Sequence, residues 1–572
     1  MQHIIESCAA DLFGSNFTFR PGQVEAIESI VNNVNSNVKQ TVLEAPTGSG
    51  KSVIGIVAAY ALWREFGKKS YILTSDLSLF AQYENDIKKL NVNCFGCIKG
   101  KENYTCADNG CKASQATCAL RGLSVQALLH NPKLSWRFQC VKSCQYVKDY
   151  AKAVFSPITL MTYQLYFIQR NYVEDSLMFG KNKNFPERDL VICDECHNLC
   201  SICQAHFAPS VSMKKPSWMS VLDDYTRMPK RDYERAALVG DIASSDSHKL
   251  VDAMNAYAEF VAHYTAVNES VRAKLSKKSK LSKRDRAALA AGNRARQEHC
   301  KLADMSSFVS QPGADEFLVK SMSDNSITLN FVFDNALLKR YFHTKSKCEV
   351  LMSATVGDFG EYAYLAGLDE AFKPMSIPST FDFSKSPIYF SIDNKMSYAE
   401  KSTSIVKIAQ EVERICRDNS GCRGLVQTGS YANSEALKRL LPDDILSRCL
   451  FYHAASEKDA MLSEFTSSSC SNSILVGPTL LEGLNFPDDL CRFQICVKVP
   501  YAHLGSEYIR KKKDLVEGWY KYDVLNKMCQ GIGRGVRHEH DWCKTYILDG
   551  CVQYLLDDLD TMNALHGRFV KM

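Results

Sequence analysis

The sequence predicts an α/β protein built from two parallel-sheet lobes. Three observations carry this. Residues 41–44, with apolar Val42 and Leu43, read as a short buried strand; a Gly48–Gly50 turn follows, then a helical pattern over residues 51–66. A second apolar run, Leu190-Val191-Ile192-Cys193, ends in Asp194-Glu195. In the C-terminal third, apolar runs at 425–426, 474–476, 493–499 and 546–548 alternate with helical stretches, the pattern of a second parallel sheet.

The strand–turn–helix comes first in the chain and in the chemistry. Ala45-Pro46-Thr47-Gly48-Ser49-Gly50-Lys51-Ser52 places glycines where backbone N–H groups at a helix N-terminus point toward phosphate oxygens. In such a cradle Thr47, Gly48, Ser49 and Gly50 wrap the phosphates, Lys51 reaches the β- and γ-phosphates of ATP, and Ser52 holds Mg2+. Ala45 stands where the plain phosphate-loop pattern has glycine. At the second run, Asp194 is the candidate magnesium ligand and Glu195 the candidate general base for an attacking water. His197 is placed to couple that site to a neighbouring strand. Far downstream, Gln530-Gly531-Ile532-Gly533-Arg534-Gly535-Val536-Arg537 offers two arginines to transition-state charge, with Gln530 as a nucleotide sensor.

Composition sets outer bounds. The chain has 572 residues, 45% hydrophobic and 23% charged, as in globular proteins with extensive cores; that length suggests roughly three to four domains. A net charge of +5 is too mild to argue for nucleic acid by itself. Glu6 and Asp11 interrupt the N-terminus and no run is long and apolar enough for a membrane span, so the expectation is no signal peptide and an intracellular protein. The 23 cysteines, an odd count beside a nucleotide site, argue against a disulfide framework. Cys94, Cys97, Cys106, Cys111, Cys118, Cys140 and Cys144 crowd between the cradle and the acid pair, a density suited to a soft metal or a cluster. Residues 272–298 hold ten basic and two acidic side chains, a stripe suited either to a nucleic-acid backbone or to a solvated helix.

These motifs together resemble superfamily 2 helicases, and within them the XPD/DinG-like iron–sulfur group. In family order, Phe19-Arg20-Pro21-Gly22-Gln23 is similar to the adenine-reading segment, with Gln23 as its reader, and Leu73-Thr74-Ser75 through Gln82 to the first DNA-contacting motif. Asp194-Glu195-Cys196-His197 is a variant DEAH box with cysteine for alanine. Ser353-Ala354-Thr355, then Gly424-Leu425-Val426 through Ser430-Tyr431, resemble motifs III and IV. Glu482-Gly483-Leu484-Asn485 resembles motif V, with asparagine where aspartate is common, and the segment from Gln530 to Arg537 resembles motif VI.

The resemblance implies two RecA-like parallel-sheet lobes, the first carrying an iron–sulfur cluster insertion and a mostly helical arch insertion. The implied division is lobe 1 over 1–93, 150–204 and 346–373, a cluster domain over 94–149, an arch over 205–345, and lobe 2 over 374–572, with Pro374 and Pro378 in a linker. It implies a [4Fe–4S] cluster on Cys106, Cys118, Cys140 and Cys144, with Cys111 the alternative second ligand and Zn2+ the alternative metal; Cys94-Phe95-Gly96-Cys97 also has zinc-like spacing. It implies ATP and Mg2+ as cofactors, arginine fingers at Arg534 and Arg537, and strand contacts at Thr74, Ser430 and Gly483. The implied activity is 5′ to 3′ travel on single-stranded DNA and unwinding of tailed duplexes by a monomer, a compact bacterial or viral relative working in the cytoplasm, or in the nucleus if eukaryotic. An RNA or RNA–DNA hybrid helicase and an ATP-gated clamp without unwinding are the alternatives.

Overall fold

The computed structural model describes the chain apart from residues 47, 132, 135–137, 174–184, 279, 311–312, 380–381, 468–470, 479–485, 537–540 and 563–564, and apart from the side chains of 126, 130, 247, 248, 455, 534 and 561. Two seven-stranded sheets, every pairing in them parallel, form its two lobes.

In the first sheet the strands are β1 (Gln40–Glu44), β2 (Ser70–Thr74), β3 (Phe95–Cys97), β4 (Ile158–Thr162), β5 (Leu190–Asp194), β9 (Cys348–Ser353) and β10 (Lys373–Ser376). Their order is β10-β1-β9-β5-β2-β4-β3. Strands β1, β2, β4, β5 and β9 are buried at every residue, as helices on both faces of a parallel sheet require. The helix Lys51–Phe66 packs against Gln2–Phe13 and Gln23–Asn35 over one face. Because all strands run the same way, the loops after β1, β9 and β5 emerge side by side at one edge, where α/β sheets bind ligands.

Two elements differ from the sequence expectation. Cys94 and Cys97 bracket the edge strand β3, which pairs with β4 and belongs to lobe 1. A Cβ on Gly96 would lie 2.5 Å from Ala153 Cα, so glycine there lets the helix Gln145–Phe155 press onto the strand. Burial pushes the Cys94 and Cys97 thiols up to about 12, the behaviour of packed apolar groups. Pro374, expected in a linker, lies in β10, opposite Val42. An edge strand tolerates proline because one row of its N–H groups has no partner strand.

Between β5 and β9 the chain leaves the lobe through a three-stranded antiparallel sheet, β6 (Ser210–Ser212), β8 (Ser326–Phe331) and β7 (Leu318–Met322) in that order. Above it rise the helices Ser247–Ser276 and Lys283–Val309, packed along each other. Their contact is close: a Cβ on Gly292 would fall 1.9 Å from Asn268 Oδ1. Ser282 and Asp285 close a capping box at the second helix. Part of the basic stripe serves this packing. Arg272 bonds Asn293, Arg284 donates to the Asp224 carbonyl, and Glu298 accepts from Trp218 and Tyr257. Lys274, Lys277, Lys280, Lys283 and Arg286 remain exposed around the hairpin tip.

The second sheet comprises β11 (Ile388–Phe390), β12 (Gly424–Gln427), β13 (Cys449–Phe451), β14 (Ile474–Gly477), β15 (Phe493–Cys496), β16 (Lys544–Ile547) and β17 (Phe569–Lys571), ordered β13-β14-β12-β15-β16-β11-β17. The four apolar runs of the sequence are its central strands. The three that sequence reading missed are three residues long, and two of them, β13 and β17, are the edges.

Candidate functional site

The phosphate cradle sits at the end of β1. Gly48 and Gly50 take φ of 82° and 81°, the left-handed region open to glycine, and the helix Lys51–Phe66 starts directly after them. Gln23 fastens the loop from the side. Its Nε2 donates to the Ser49 carbonyl at 2.8 Å, while its Oε1 accepts from the Arg20 backbone N–H at 2.9 Å. A Cβ on Gly50 would meet that Nε2 at 2.4 Å, a second reason for glycine there. Arg20 also donates to the Gly48 carbonyl. Gln23 and Arg20 thus act on the cradle's backbone. Thr47 lies outside the described residues, and Ser52 is half-buried in the first helical turn.

Two strands over, with β9 between, β5 delivers the acid pair. Asp194 is buried; its Oδ2 accepts from the Tyr83 hydroxyl at 2.8 Å and its Oδ1 from the Glu195 N–H at 2.9 Å. Burial, then the neighbouring Glu195, pushes its carboxyl up to about 6, opposed by Lys51 and the Tyr83 hydrogen bond. Such a group gains a charged ligand's worth of stabilisation from a divalent cation. Glu195 has φ 53° and ψ 50°, a left-handed backbone costing a non-glycine residue about 1–2 kcal/mol. That turn leaves its carboxylate 3.9 Å from Lys51 Nζ and 3.4 Å from His197 Nδ1. Lys51 also donates to the Ala45 carbonyl at 3.3 Å. His197 Nδ1 meets Ser353 Oγ, the end of β9, at 2.8 Å, and Ser353 Oγ accepts from the Thr355 N–H at 3.1 Å. The strand that His197 was expected to couple to is therefore β9, which lies between β1 and β5. Tyr83 was missed by sequence reading: no motif marks it, and only the fold brings it to Asp194.

From lobe 2 the helix Trp519–Ile532 carries Gln530 to a cavity that His197 also lines. The Gly533–Gly535 turn follows. A Cβ on Gly535 would stand 2.3 Å from Cys543 Sγ, so this glycine serves packing within lobe 2 and not approach to a nucleotide. Arg537, Gly483 and the Arg534 side chain lie outside the description.

Of the strand-contact candidates, Thr74 is buried. It ends the central strand β2, is 0% exposed, and turns its hydroxyl to the Asp76 carbonyl at 3.3 Å; the exposed residues of that turn are Asp76, Leu77 and Ser78. Ser430 caps the helix Tyr431–Leu440, accepting from the Asn433 N–H at 3.2 Å, and stays half-exposed beside Gly429.

The cysteines form a separate centre. Cys106, Cys118, Cys140 and Cys144 line one small cavity with Ala113, Leu128, Val141 and Tyr146 among its walls; Cys111 does not line it. Among the described residues, the segment around it is built of short helices and turns, with the helix Gln145–Phe155 starting directly after Cys144. Burial first, with the neighbouring thiols of the set contributing, raises the Cys118 and Cys140 thiols; at Cys140, where Asp108 also contributes, the result is about 11. As placed, no three His, Cys, Asp or Glu side chains among the described residues converge to metal-binding distance. Ligation to a metal is what draws such a set together. Four cysteines around one apolar cavity fit the donor set of a [4Fe–4S] cluster.

Two parallel sheets, with a phosphate cradle and an acid pair at the edge of one and a glycine–arginine turn in the other, define a two-lobed phosphate-loop α/β protein. The comparisons narrow this. Residues 16–226 match the family model "Type III restriction enzyme, res subunit", and residues 412–553 match "Helicase C-terminal domain". The chain is 31% identical over 125 residues to "ATP-dependent DNA helicase CHL1" of Saccharomyces cerevisiae (strain YJM789), covering 18% of this chain and 14% of that protein. It is 24% identical over 289 residues to the protein of that name in Kluyveromyces lactis, covering 40% and 34%. These matches thus span about a third or less of the relatives' own length. Among solved structures, one titled "XPD_Helicase" superposes with a TM-score of 0.63 at 14% identity over 97% of this chain and 100% of that one. "Structure of S. tokodaii Xpd4" gives 0.54 at 15% over 96% and 99%. The chain is thus similar in sequence to helicases over parts of both lobes, and it shares its overall fold with the XPD-titled structures. No helix among the described residues is long and apolar enough to cross a membrane.

Proposed function

We propose that the chain is an ATP-driven DNA helicase that moves 5′ to 3′ along a single strand and opens tailed duplexes. The observation that carries this reading is the meeting of Lys51, Glu195, His197 and Ser353 at the shared edge of β1, β9 and β5. ATP lies in the cradle with its phosphates on the backbone of residues 48–50 and on Lys51. Ser52 and Asp194 hold Mg2+, which neutralises developing phosphate charge. Glu195 takes a proton from the attacking water. Gln530 senses the nucleotide, and Arg534 and Arg537 approach from lobe 2 to stabilise the transferring phosphoryl group. The His197–Ser353 bond ties that chemistry to β9, whose following loop supports lobe 2: the Tyr522 hydroxyl donates to the Val356 carbonyl at 3.0 Å. Hydrolysis then changes the fit between lobes, and Ser430 and Gly483 hold the strand backbone while it steps. Cys106, Cys118, Cys140 and Cys144 hold a [4Fe–4S] cluster, which supplies cross-links to a segment with little core of its own.

The test uses anaerobically purified chain with duplexes bearing either a 5′ or a 3′ single-stranded tail, in DNA and in RNA. ATP-dependent unwinding of the 5′-tailed DNA, with little on the others, is expected. Preference for a 3′ tail or for RNA overturns polarity or substrate; strand-stimulated hydrolysis with no unwinding on any duplex favours a clamp.

A further inference from the structure

Glu44 is a buried carboxylate that the chemistry above does not use. It is the last residue of β1, directly before the cradle, and 4% exposed. Facing bound phosphates, its negative charge would repel them. Strand alternation turns it away. Leu43 packs with the helices Gln23–Asn35 and Lys51–Phe66, whereas Val42 joins the core on the opposite face of the sheet, and Glu44 follows Val42.

On that face Glu44 meets the loop after β9. Its Oε1 accepts from the Val356 N–H at 3.3 Å and from the Gly357 N–H at 3.4 Å. The same short loop is where lobe 2 lands. The Val356 carbonyl accepts from the Tyr522 hydroxyl at 3.0 Å, so one residue bonds lobe 1 through its N–H and lobe 2 through its C=O. Gly357 has φ 71°, a backbone that favours glycine, and a Cβ there would stand 3.1 Å from Met562 Sδ in the lobe 2 core. The Glu44 charge also reaches lobe 2 directly: burial first, then this carboxylate, pushes the Cys529 thiol up, opposed by Arg568. Tyr522 stands in the first turn of the helix Trp519–Ile532, and Cys529 and Gln530 in its last. The contacts form one short path from the cradle strand through Glu44 and residues 356–357 to the helix that carries Gln530.

We infer that Glu44 is a positioning residue: it holds the 356–357 loop in the shape that Tyr522 and Met562 fit, and so seats lobe 2 on the cradle lobe. This rests on the nucleotide reading above. A nucleotide bound on residues 48–51 steadies the end of β1, Glu44 passes that order to the loop, and the helix of lobe 2 is ordered in turn.

The test is hydrogen exchange of backbone amides, read by mass spectrometry on the full chain with and without a non-hydrolysable ATP analogue and Mg2+. Neither turnover nor nucleic acid enters it. In the unmodified chain the analogue should slow exchange about tenfold in residues 48–56 and again in 519–526, which stop short of Gln530. In Glu44→Ala the cradle should keep its protection, with analogue affinity within about threefold, while protection of 519–526 falls to about twofold or less. Glu44→Gln, whose amide oxygen still accepts, should restore it. Tyr522→Phe should weaken protection of 519–526 about fivefold, the size of one hydrogen bond, and adding Glu44→Ala to it should change little further, because both cut one path. Full protection of 519–526 in Glu44→Ala, effects of the two variants that add, or loss of cradle protection beside it would overturn the inference, the last by making Glu44 a wall of the cradle. Should Glu44→Ala fail to fold, full protection of 519–526 in Tyr522→Phe overturns it. In the unmodified chain, protection of the cradle without any in 519–526 sinks the inference alone, whereas no protection of the cradle sinks the nucleotide reading and the inference with it.

Discussion

The nucleotide edge of lobe 1 and the cysteine cavity are organised in opposite ways. At the nucleotide edge the positions are set by strand register: Glu44 pairs with Ser353 and Asp194 with Met352, so cradle, serine and acid pair are aligned by backbone hydrogen bonds before any ligand arrives. Gln23, Tyr83 and Ser353 then fix the reacting groups from behind. Among the described residues, Cys106, Cys118, Cys140 and Cys144 lie on no strand of the sheet. Four thiols on turns and short helices share a cavity whose apolar walls, Leu128, Val141 and Tyr146 among them, join the core of lobe 1. The first centre is preorganised and the second is completed by what it binds, so the same kind of substitution should have different consequences in each: lost chemistry in one, lost structure in the other.

The sharpest break is Glu195→Gln. It removes the base but leaves the cradle and the strand register intact, so ATP binding should persist while turnover falls about 10²–10⁴-fold, measured by nucleotide titration beside steady-state hydrolysis. Unchanged turnover would remove Glu195 from the role of base.

At the other centre, Cys106→Ser should abolish the brown absorbance and bound iron, and open the segment between β3 and the helix Gln145–Phe155 to limited proteolysis, while ATP affinity changes by less than about threefold. Equal loss of nucleotide binding would show that the two centres are not independent. Cys111→Ser, altering a cysteine outside the cavity wall, should keep its iron.

A smaller effect is expected from Ser353→Ala. It deletes the hydroxyl that bonds His197, and the stimulation of hydrolysis by single-stranded DNA should drop about tenfold with the basal rate nearly preserved, the size of an ordinary coupling free energy. A matched fall in basal and stimulated rates would make Ser353 a support for the acid pair and not a link between lobes.

The smallest is Tyr83→Phe, which removes one hydrogen bond to Asp194. About 1 kcal/mol is at stake, or roughly fivefold in the Mg2+ concentration needed for half-maximal hydrolysis. No change in that concentration would mean that Asp194 is held well enough by its own backbone.

Much of this was legible in the chain. Gly48, Gly50 and Lys51 follow a strand and open a helix, and a local run of dihedrals is enough to build a cradle from them. The apolar runs before Asp194 and after Gly424 announce buried parallel strands for the same local reason. Contacts between distant segments were not legible. Tyr83 reaches Asp194 across 111 positions, and Ser353 reaches His197 across 156. Thr74 sits in a motif yet is buried, because motif membership does not say which way a strand's last hydroxyl turns. Pro374 looked like a linker because edge and central strands differ only in their neighbours, which sequence does not list. The sequence by itself determined the two lobes, the cradle, the acid pair and the cysteine-rich segment, because each is written in local periodicity or in residues a few positions apart. The tertiary structure alone decided that Tyr83 reaches Asp194, that Ser353 reaches His197, and that Gly535 yields to Cys543. Those outcomes depend on packing and hydrogen bonding between separate elements of the chain, and neither exists until the chain has folded.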